Sequence, residues 1–444
     1  MNKTKSFNVS KNLVYQAYKE VKANKGSAGV NDISLEKFEI NLKDNLYKIW
    51  NRMSSGTYFP PPVKAVEIPK KNGGVRVLGI PTVADRIAQM VVKINFELKV
   101  EKYFLQDSYG YRPNKSAHDA IDITRERCWK YDWVLEFDIK GLFDNIDHTF
   151  LMKAVRKHTD CKWELLYIER WMKSPIQKGK EIIKRETGVP QGGVISPVLS
   201  NLFLHYTFDK WMERNFTNNP WCRYVDDGII NCKILKQAQY IRKCLEDRFK
   251  QCKLEIHPEK TKIIYCKDSN RKEEHENIEF TFLSYTFRPR KAKGKEDKEF
   301  TSFLPAISNK AKKHIKQTIK QWKLLWMTNK ELGDIAEKYN PVIRGWLNYY
   351  GKYGRKELTK VLEHINYHLC FWIRRKYKKY KYKSYKAMSL LMKIANKNST
   401  LFEHWKVGMF FASEISSLLQ NFFLTPRWGI FMLTIAGYHC FFNR

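Results

Sequence analysis

The chain has 444 residues, 43% of them hydrophobic, which is long enough for two or three domains with sizeable cores and excludes a disordered tail. Lys and Arg number 81 against 46 Asp and Glu, a formal charge of +35, and a field that positive draws in polyanions. The charge runs along the whole chain and is mixed with 24 Tyr, 26 Phe and 13 Trp. That favours nucleic acid over an anionic membrane surface, because Lys and Arg neutralise phosphates while aromatic faces stack on bases.

In chain order, residues 1–60 read as helical. Ser34 caps a helix with apolar positions at Leu35, Phe38, Ile40, Leu42, Leu46 and Ile49. From Pro60 the pattern turns strand-like, with runs Val63–Pro69 and Gly74–Pro81 around an Asn72-Gly73-Gly74 hairpin signal. Asp85 opens a helical stretch to about Phe104. Residues 133–138 (WVLEFD) form an apolar β-prone run ending on a carboxylate. Residues 222–232 (CRYVDDGIINC) read as a hairpin with Asp226 and Asp227 at its turn. A helix follows over 236–250, and a strand pair is expected at 262–266 and 280–287. The charged run 291–298 (KAKGKEDK) reads as a loop and hinge, with a domain boundary near 290–305. Residues 308–395 read as helical and very basic.

The nine cysteines include no CxxC pair, so no zinc site is expected, and their odd, scattered distribution suits reduced thiols in a cytoplasmic protein. The opening MNKTKSFNVSKN has no apolar stretch of the kind a signal peptide needs. The apolar stretch Trp428–Phe442 falls short of the roughly 20 residues that span a bilayer, so no membrane partner is expected.

Asp138, Asp226 and Asp227 carry the chemistry. Nucleotidyl transfer uses two divalent metals, one to activate the attacking hydroxyl and one to neutralise the triphosphate. Magnesium takes oxygen ligands from a few carboxylates and from substrate phosphates. A strand ending on Asp138 beside a hairpin turn carrying Asp226 and Asp227 supplies such ligands, if the two elements pack together. An Asp-Asp pair by itself usually marks a solvated turn. Here an apolar strand flanks each acidic element and a Gly-rich loop lies between them in the chain.

These segments resemble the group II intron reverse transcriptase and maturase family. Tyr224-Val225-Asp226-Asp227 is similar to its YxDD box, residues 137–148 (FDIKGLFDNIDH) to its first palm motif, and residues 189–197 (VPQGGVISP) to its second. Residues 80–86 (IPTVADR) and 109–113 (YGYRP) resemble its fingers, and residues 345–350 (GWLNYY) its maturase signature. The motifs follow the family's order and the likeness covers about residues 12–408. It implies an α+β fold, a right-hand polymerase with fingers and an antiparallel palm sheet followed by an α-helical thumb or X domain. The implied organisation is 1–60 N-terminal extension and start of fingers, 61–132 fingers, 133–290 palm with some fingers elements, 300–408 thumb or maturase domain, and 409–444 an apolar segment without assigned role.

The resemblance also implies roles. Asp138, Ile139, Asp226 and Asp227 surround two Mg2+ ions, for which Mn2+ can substitute. Lys260 acts as general acid on the departing pyrophosphate, although Lys262 is equally basic. Lys70 and Arg76 clamp the incoming triphosphate, the alternative being two solvated hairpin charges. Gly141 and Leu142 offer backbone amides to the same group. Phe143 stands at a sugar gate that admits dNTPs over rNTPs, against the alternative of a core aromatic. Gln191 and Gly192 line the base-pair pocket. Phe282, Leu283, Ser284 and Tyr285 form the primer grip, with Ser284 where the family more often has glycine. Val225 replaces a usual alanine, and Gly29-Val30-Asn31-Asp32 departs from the usual Gly-Val-Asp-Gly.

In the basic tail, residues 374–383 hold seven basic residues interleaved with Tyr377, Tyr380 and Tyr382. Arg374, Arg375, Lys376, Lys378 and Lys379 are the candidate RNA-binding patch. After Gly408 no family resemblance is seen, and second-strand cleavage by an endonuclease module is not expected. The expected partners are an RNA template (intron or noncoding RNA), a DNA primer and dNTPs, with monomer and homo-oligomer both open. An alternative is a free-standing reverse transcriptase of the same lineage that works with a noncoding RNA in antiphage defence. A splicing factor with a dead polymerase is disfavoured by the intact acidic triad, and an RNA-copying RNA polymerase by Phe143.

Overall fold

The computed structural model describes residues 5–69, 74–294 and 298–410. The chain divides into two compact units. Among the described residues, one takes in those up to Leu283 together with those of 288–303, and the other takes in Ser284–Phe287 and those from Leu304 to Phe410.

Eleven strands are found among the described residues: β1 (Val63–Pro69), β2 (Val75–Ile80), β3 (Trp133–Asp138), β4 (Ile176–Lys178), β5 (Glu181–Ile183), β6 (Trp221–Tyr224), β7 (Asp227–Cys232), β8 (Lys262–Tyr265), β9 (Phe280–Phe282), β10 (Tyr285–Lys293) and β11 (Glu299–Ile307). They form three sheets, ordered β2-β1-β4-β5, β6-β7-β3-β8 and β11-β10-β9. The second sheet is antiparallel throughout, with β3 central between β7 and β8. This is the antiparallel palm sheet of an α+β fold.

Alternation along β3 explains its placement. Trp133, Leu135, Phe137 and Ile139 point into the main core of the first unit. Successive side chains on a strand face opposite ways, so Val134, Glu136 and Asp138 share the other face. Beneath the sheet, Phe137 packs on Phe208 and Phe249 at ring separations of 5.0 and 5.9 Å. Fully burying a side chain of this size contributes about 1.5–3 kcal/mol. Gly228 lies opposite Phe137 in register. A Cβ on Gly228 would stand 2.1 Å from the Phe137 ring, so only glycine lets β7 pass over that aromatic.

The helix expected from Ser34 is two helices, Leu35–Ile40 and Leu42–Ser55, broken at Asn41. Ser34 does cap the first, its hydroxyl accepting from the Lys37 amide. Ile40, assigned to the apolar face, is instead 78% exposed. The long helix expected from Asp85 runs Val83–Glu101 and is capped by Thr82. Asp85 is buried inside it, accepting from Tyr58 Oη at 2.9 Å, Trp171 Nε1 at 2.8 Å and Gln89 Nε2 at 3.0 Å. Burial pushes its carboxyl up to about 6, against the three hydrogen bonds that pull it down. The neighbouring Arg86 donates to the carbonyls of Lys25 and Ser27, tying down the N-terminal loop.

Residues 262–266 and 280–287 do not pair with each other, as their adjacent β-prone runs suggested. β8 pairs with β3, while β9 and β10 belong to another sheet. Register is a tertiary choice that local propensity does not specify. Of the charged run read as a loop and hinge, residues 291–293 instead end β10, and residues 295–297 lie outside the described residues. In the second unit the long helices are Asn309–Gln321, Leu332–Tyr350, Arg355–Lys376 and Ser384–Lys397. They bury a separate core that includes Ile315, Ile343, Leu362, Leu369 and Trp372.

Candidate active site

Asp138 closes β3 and stands opposite Asp227 on β7, which in turn pairs with Tyr224 on β6. The turn between β6 and β7 holds Val225 and Asp226. Val225 has φ +61°, a left-handed conformation that a β-branched residue rarely adopts. The Ile139 amide donates to the Asp226 carbonyl at 3.2 Å, and the His257 amide donates to the Asp138 carbonyl at 2.8 Å. Strand ends thus bring together three carboxylates from two chain regions.

Lys260 joins them. Its Nζ lies 2.8 Å from Asp138 Oδ2, on the loop between the helix Leu235–Gln251 and β8. Burial, then the charges of Asp226 and Asp138, raise the Asp227 carboxyl, and Asp138 also hydrogen-bonds to it. Asp226 is raised as well, mainly by burial. Burial opposes the Lys260 ammonium, but the hydrogen bond and charge of Asp138 outweigh it, with help from Asp227 and Asp226, so its pKa is raised. Crowded, partly desolvated carboxylates repel one another, and a cation among them relieves that repulsion. Among the described residues, no group of three or more His, Cys, Asp or Glu side chains is arranged as a metal cage; the cation on Asp138 here is Lys260. The oxygen donors nevertheless suit a hard divalent ion, which needs few protein carboxylates when phosphate oxygens supply the rest.

A second set of residues surrounds the loop 189–197. Arg76 on β2 donates from Nε to Gln191 Oε1 at 2.7 Å. Gln191 Nε2 donates to Asp144 Oδ2 at 3.1 Å, and the Gly79 amide donates to the Gln191 carbonyl at 2.7 Å. Gly192 has φ +111°, and a Cβ there would lie 2.8 Å from the Gly79 carbonyl oxygen; glycine permits this approach of loop to strand. Gly141, with φ +57°, precedes the short helix Leu142–Asn145. Phe143, on that helix, is 9% exposed and belongs to the main core. Lys70 lies outside the described residues.

Phe282 ends β9 and Tyr285 begins β10. Between them Leu283 and Ser284 have φ +50° and +66°, the pair of positive angles that a two-residue type I′ turn requires. This is why glycine is the easier residue at Ser284. In the second unit, Tyr285 is packed by the rings of Tyr349, Tyr350 and Tyr353 and donates to the Tyr349 carbonyl.

The basic run is divided in its contacts. Arg375 stacks over Trp326 at 4.1 Å, Arg374 lies over Phe371 at 5.7 Å, and Lys379 lies over Tyr380 at 5.1 Å. Lys378 is exposed. Lys376 is held within the fold, donating to the Lys330 carbonyl at 2.6 Å and to Glu331 at 2.5 Å.

Three residues near the site escaped the sequence reading. Glu136 shares the Asp138 face of β3, and burial pushes its carboxyl up to about 7; the alternation in WVLEFD already carried that signal. Asp144 anchors Gln191. Arg223 is fully buried under the Val225 turn, where no local pattern announces it.

An antiparallel sheet presenting aspartates at a strand end and an adjoining hairpin is the arrangement the sequence resemblance implies for a palm-type nucleotidyltransferase. Residues 68–287 match the family described as "Reverse transcriptase (RNA-dependent DNA polymerase)", and residues 312–389 match "Group II intron, maturase-specific domain". The chain is 33% identical over 279 residues to Protein YkfC of Escherichia coli (strain K12), a match covering 54% of this chain and 73% of that one. It is 36% identical over 204 residues to the group II intron-encoded protein LtrA of Lactococcus lactis subsp. cremoris, covering 45% of this chain and 33% of LtrA. The chain therefore spans about a third of the length of LtrA. A solved structure of telomerase from Candida albicans is similar with a TM-score of 0.44 and 13% identity, covering 85% of this chain and 68% of that one. The chain belongs to the group II intron reverse transcriptase and maturase family. Among its described residues no helix is long and apolar enough to cross a membrane.

Proposed function

We propose that the chain is an RNA-directed DNA polymerase that copies RNA into cDNA and also binds group II intron RNA, assisting its splicing and mobility. The observation that carries this reading is the placement of Asp138 opposite Asp227, with Asp226 on the adjoining turn. Asp138, Ile139, Asp226 and Asp227 would hold two Mg2+ ions, or Mn2+ in their place. Bound divalent ions acidify the primer hydroxyl and neutralise charge on the triphosphate.

The chain's own groups do the rest. Arg76 leaves Gln191 to engage the triphosphate, because a guanidinium binds phosphate oxygens bidentately, and Lys70 adds its charge to the same clamp. The Gly141 and Leu142 amides face the same group. Gln191 and Gly192 shape the pocket for the new base pair. The Phe143 ring excludes a 2′ hydroxyl. Lys260 Nζ, kept protonated by Asp138, offers a proton to the departing pyrophosphate. Phe282 to Tyr285 grip the primer. Exposed basic and aromatic residues of the 374–383 run bind RNA, Lys378 and Lys379 by charge and Arg375 through its stack on Trp326.

The test is primer extension by the purified chain on an RNA template with a DNA primer, dNTPs and Mg2+, followed by sequencing of RNA that co-purifies from the host. Extension together with intron RNA is the expected result. Absence of extension would sink the polymerase reading. An unrelated noncoding RNA in place of intron RNA would overturn the maturase reading in favour of a free-standing enzyme with a defence role.

A further inference from the structure

Arg223 and Asp209 form an ion pair whose two side chains are both 0% exposed. A guanidinium has five N–H donors, and all five are used here. Nε donates to Asp209 Oδ1 at 2.8 Å. Nη2 donates to Asp209 Oδ2 at 2.8 Å and to Ser108 Oγ at 2.7 Å. Nη1 donates to Asn201 Oδ1 at 3.1 Å and to the Val225 carbonyl at 3.1 Å. The last bond ends on the residue that precedes Asp226 and Asp227.

The partners are delivered by an irregular helix. Asn201 lies on the helix Ser196–Leu204, and the chain then makes a π-helical turn, His205–Asp209. In a regular α-helix, residues seven apart nearly share a face, and residues eight apart do not. The wider π turn absorbs one residue, so Asn201 and Asp209, eight apart, both reach Arg223. Asn201 also donates from Nδ2 to the Gly110 carbonyl at 2.7 Å, and the Arg223 amide donates to the Asp107 carbonyl at 2.9 Å. The ion pair therefore joins the π turn, the loop at 107–110 and the β6–β7 turn.

Val225 needs such support. Its φ of +61° is costly for a β-branched side chain, and such a conformation persists only where the surroundings over-determine it. We propose that Arg223 is a positioning residue for the Asp226-Asp227 pair: by holding the Val225 carbonyl it fixes the left-handed turn, and with it the direction in which the two carboxylates project. This rests on the polymerase reading given above. Arg223 touches no reacting atom, and its effect passes through Val225.

The experiment compares R223K, V225G and the double variant in steady-state primer extension, alongside thermal melting and RNA binding. Lysine keeps the charge but loses the planar five-donor fork. The R223K kcat should fall about 10²-fold, the scale of an ångström-sized misplacement, while the KM for dNTP and the affinity for RNA change less than about 3-fold. Glycine takes positive φ without a side-chain penalty, so V225G should make the turn independent of Arg223. The double variant should then match V225G alone rather than fall a further 10²-fold. A kcat for R223K equal to that of the unsubstituted chain, or losses that simply multiply in the double variant, would overturn the proposal. Should R223K fail to fold, Asn201→Ala replaces it in the same cycle and is judged by the same two outcomes, since it removes one guanidinium partner and leaves the ion pair. No extension by the unsubstituted chain would overturn the polymerase reading and this assignment with it, whereas active unsubstituted chain with unaffected variants overturns this assignment alone.

Discussion

Asp138 and Asp227 are directly opposed across β3 and β7, and Lys260 reaches Asp138 from a third chain segment. Replacing Asp226 and Asp227 together by Ala should abolish dNTP incorporation and leave RNA binding intact. The same change should raise the melting temperature, because burial lifts both carboxyl pKa values and their ionised forms therefore weigh against the folded state at neutral pH. Primer extension and a melting curve check both halves; residual synthesis in the double variant would remove these residues from the catalytic assignment.

Phe143 is both a core residue and the proposed sugar gate. Phe143→Ala should admit rNTPs, read as the ratio of kcat/KM for rNTP and dNTP. It should also cost about 3–5 kcal/mol of stability, the usual range for truncating a buried phenylalanine. Lower stability with unchanged sugar selectivity would leave Phe143 as a core aromatic only.

Arg76 and Gln191 are joined by a 2.7 Å hydrogen bond, so their substitutions should not act independently. R76A and Q191A should each raise the KM for dNTP with RNA affinity unchanged. In the double variant the effects should fall short of additivity by about 0.5–3 kcal/mol, as expected for contacting residues. Strict additivity would mean that the fingers strand and the 189–197 loop bind nucleotide separately.

Asp85 predicts a pH effect away from the site. Its folded pKa of about 6 stands above the ordinary 3.8, so the folded state binds the proton more tightly than the unfolded one. This residue's contribution is most favourable below pH 3.8 and is lost as pH rises through about 6. The loss amounts to about 3 kcal/mol at 1.36 kcal/mol for each pH unit between the two values. Denaturant titrations of D85N and the unsubstituted chain between pH 4 and 7 should therefore diverge by about that amount, with D85N the flatter. Parallel pH profiles would contradict the assignment.

RNA affinity should fall steeply with salt, with log K linear in log salt and a slope of about −0.7 for each single-strand phosphate contact. K378A and K379A should make that slope shallower. K376A should act mainly on stability, because Lys376 is tied to Lys330 and Glu331. A flat salt response would contradict phosphate binding altogether.

Much of this protein is written locally. Alternation in WVLEFD places β3 and its terminal Asp138, and the β-prone arms around Asp226-Asp227 place the β6–β7 hairpin. The residues of the motifs, in the family's order, carried the resemblance to the family. These features are legible because periodicity and turn chemistry act over a few residues. Elsewhere, distant partners decided. β8 pairs with β3 rather than with the neighbouring strand run, since register depends on which face another segment buries. Asp85 became a buried acceptor because Tyr58 and Trp171 converge on it from remote positions. Arg223, an ordinary basic residue in a chain with 81 of them, gained its place under the Val225–Asp226 turn only when a π turn brought Asp209 to it. Local sequence determines which elements form and which residues they carry, but a buried charge is stable only where the folded chain supplies its partners, and those partners lie far apart in sequence.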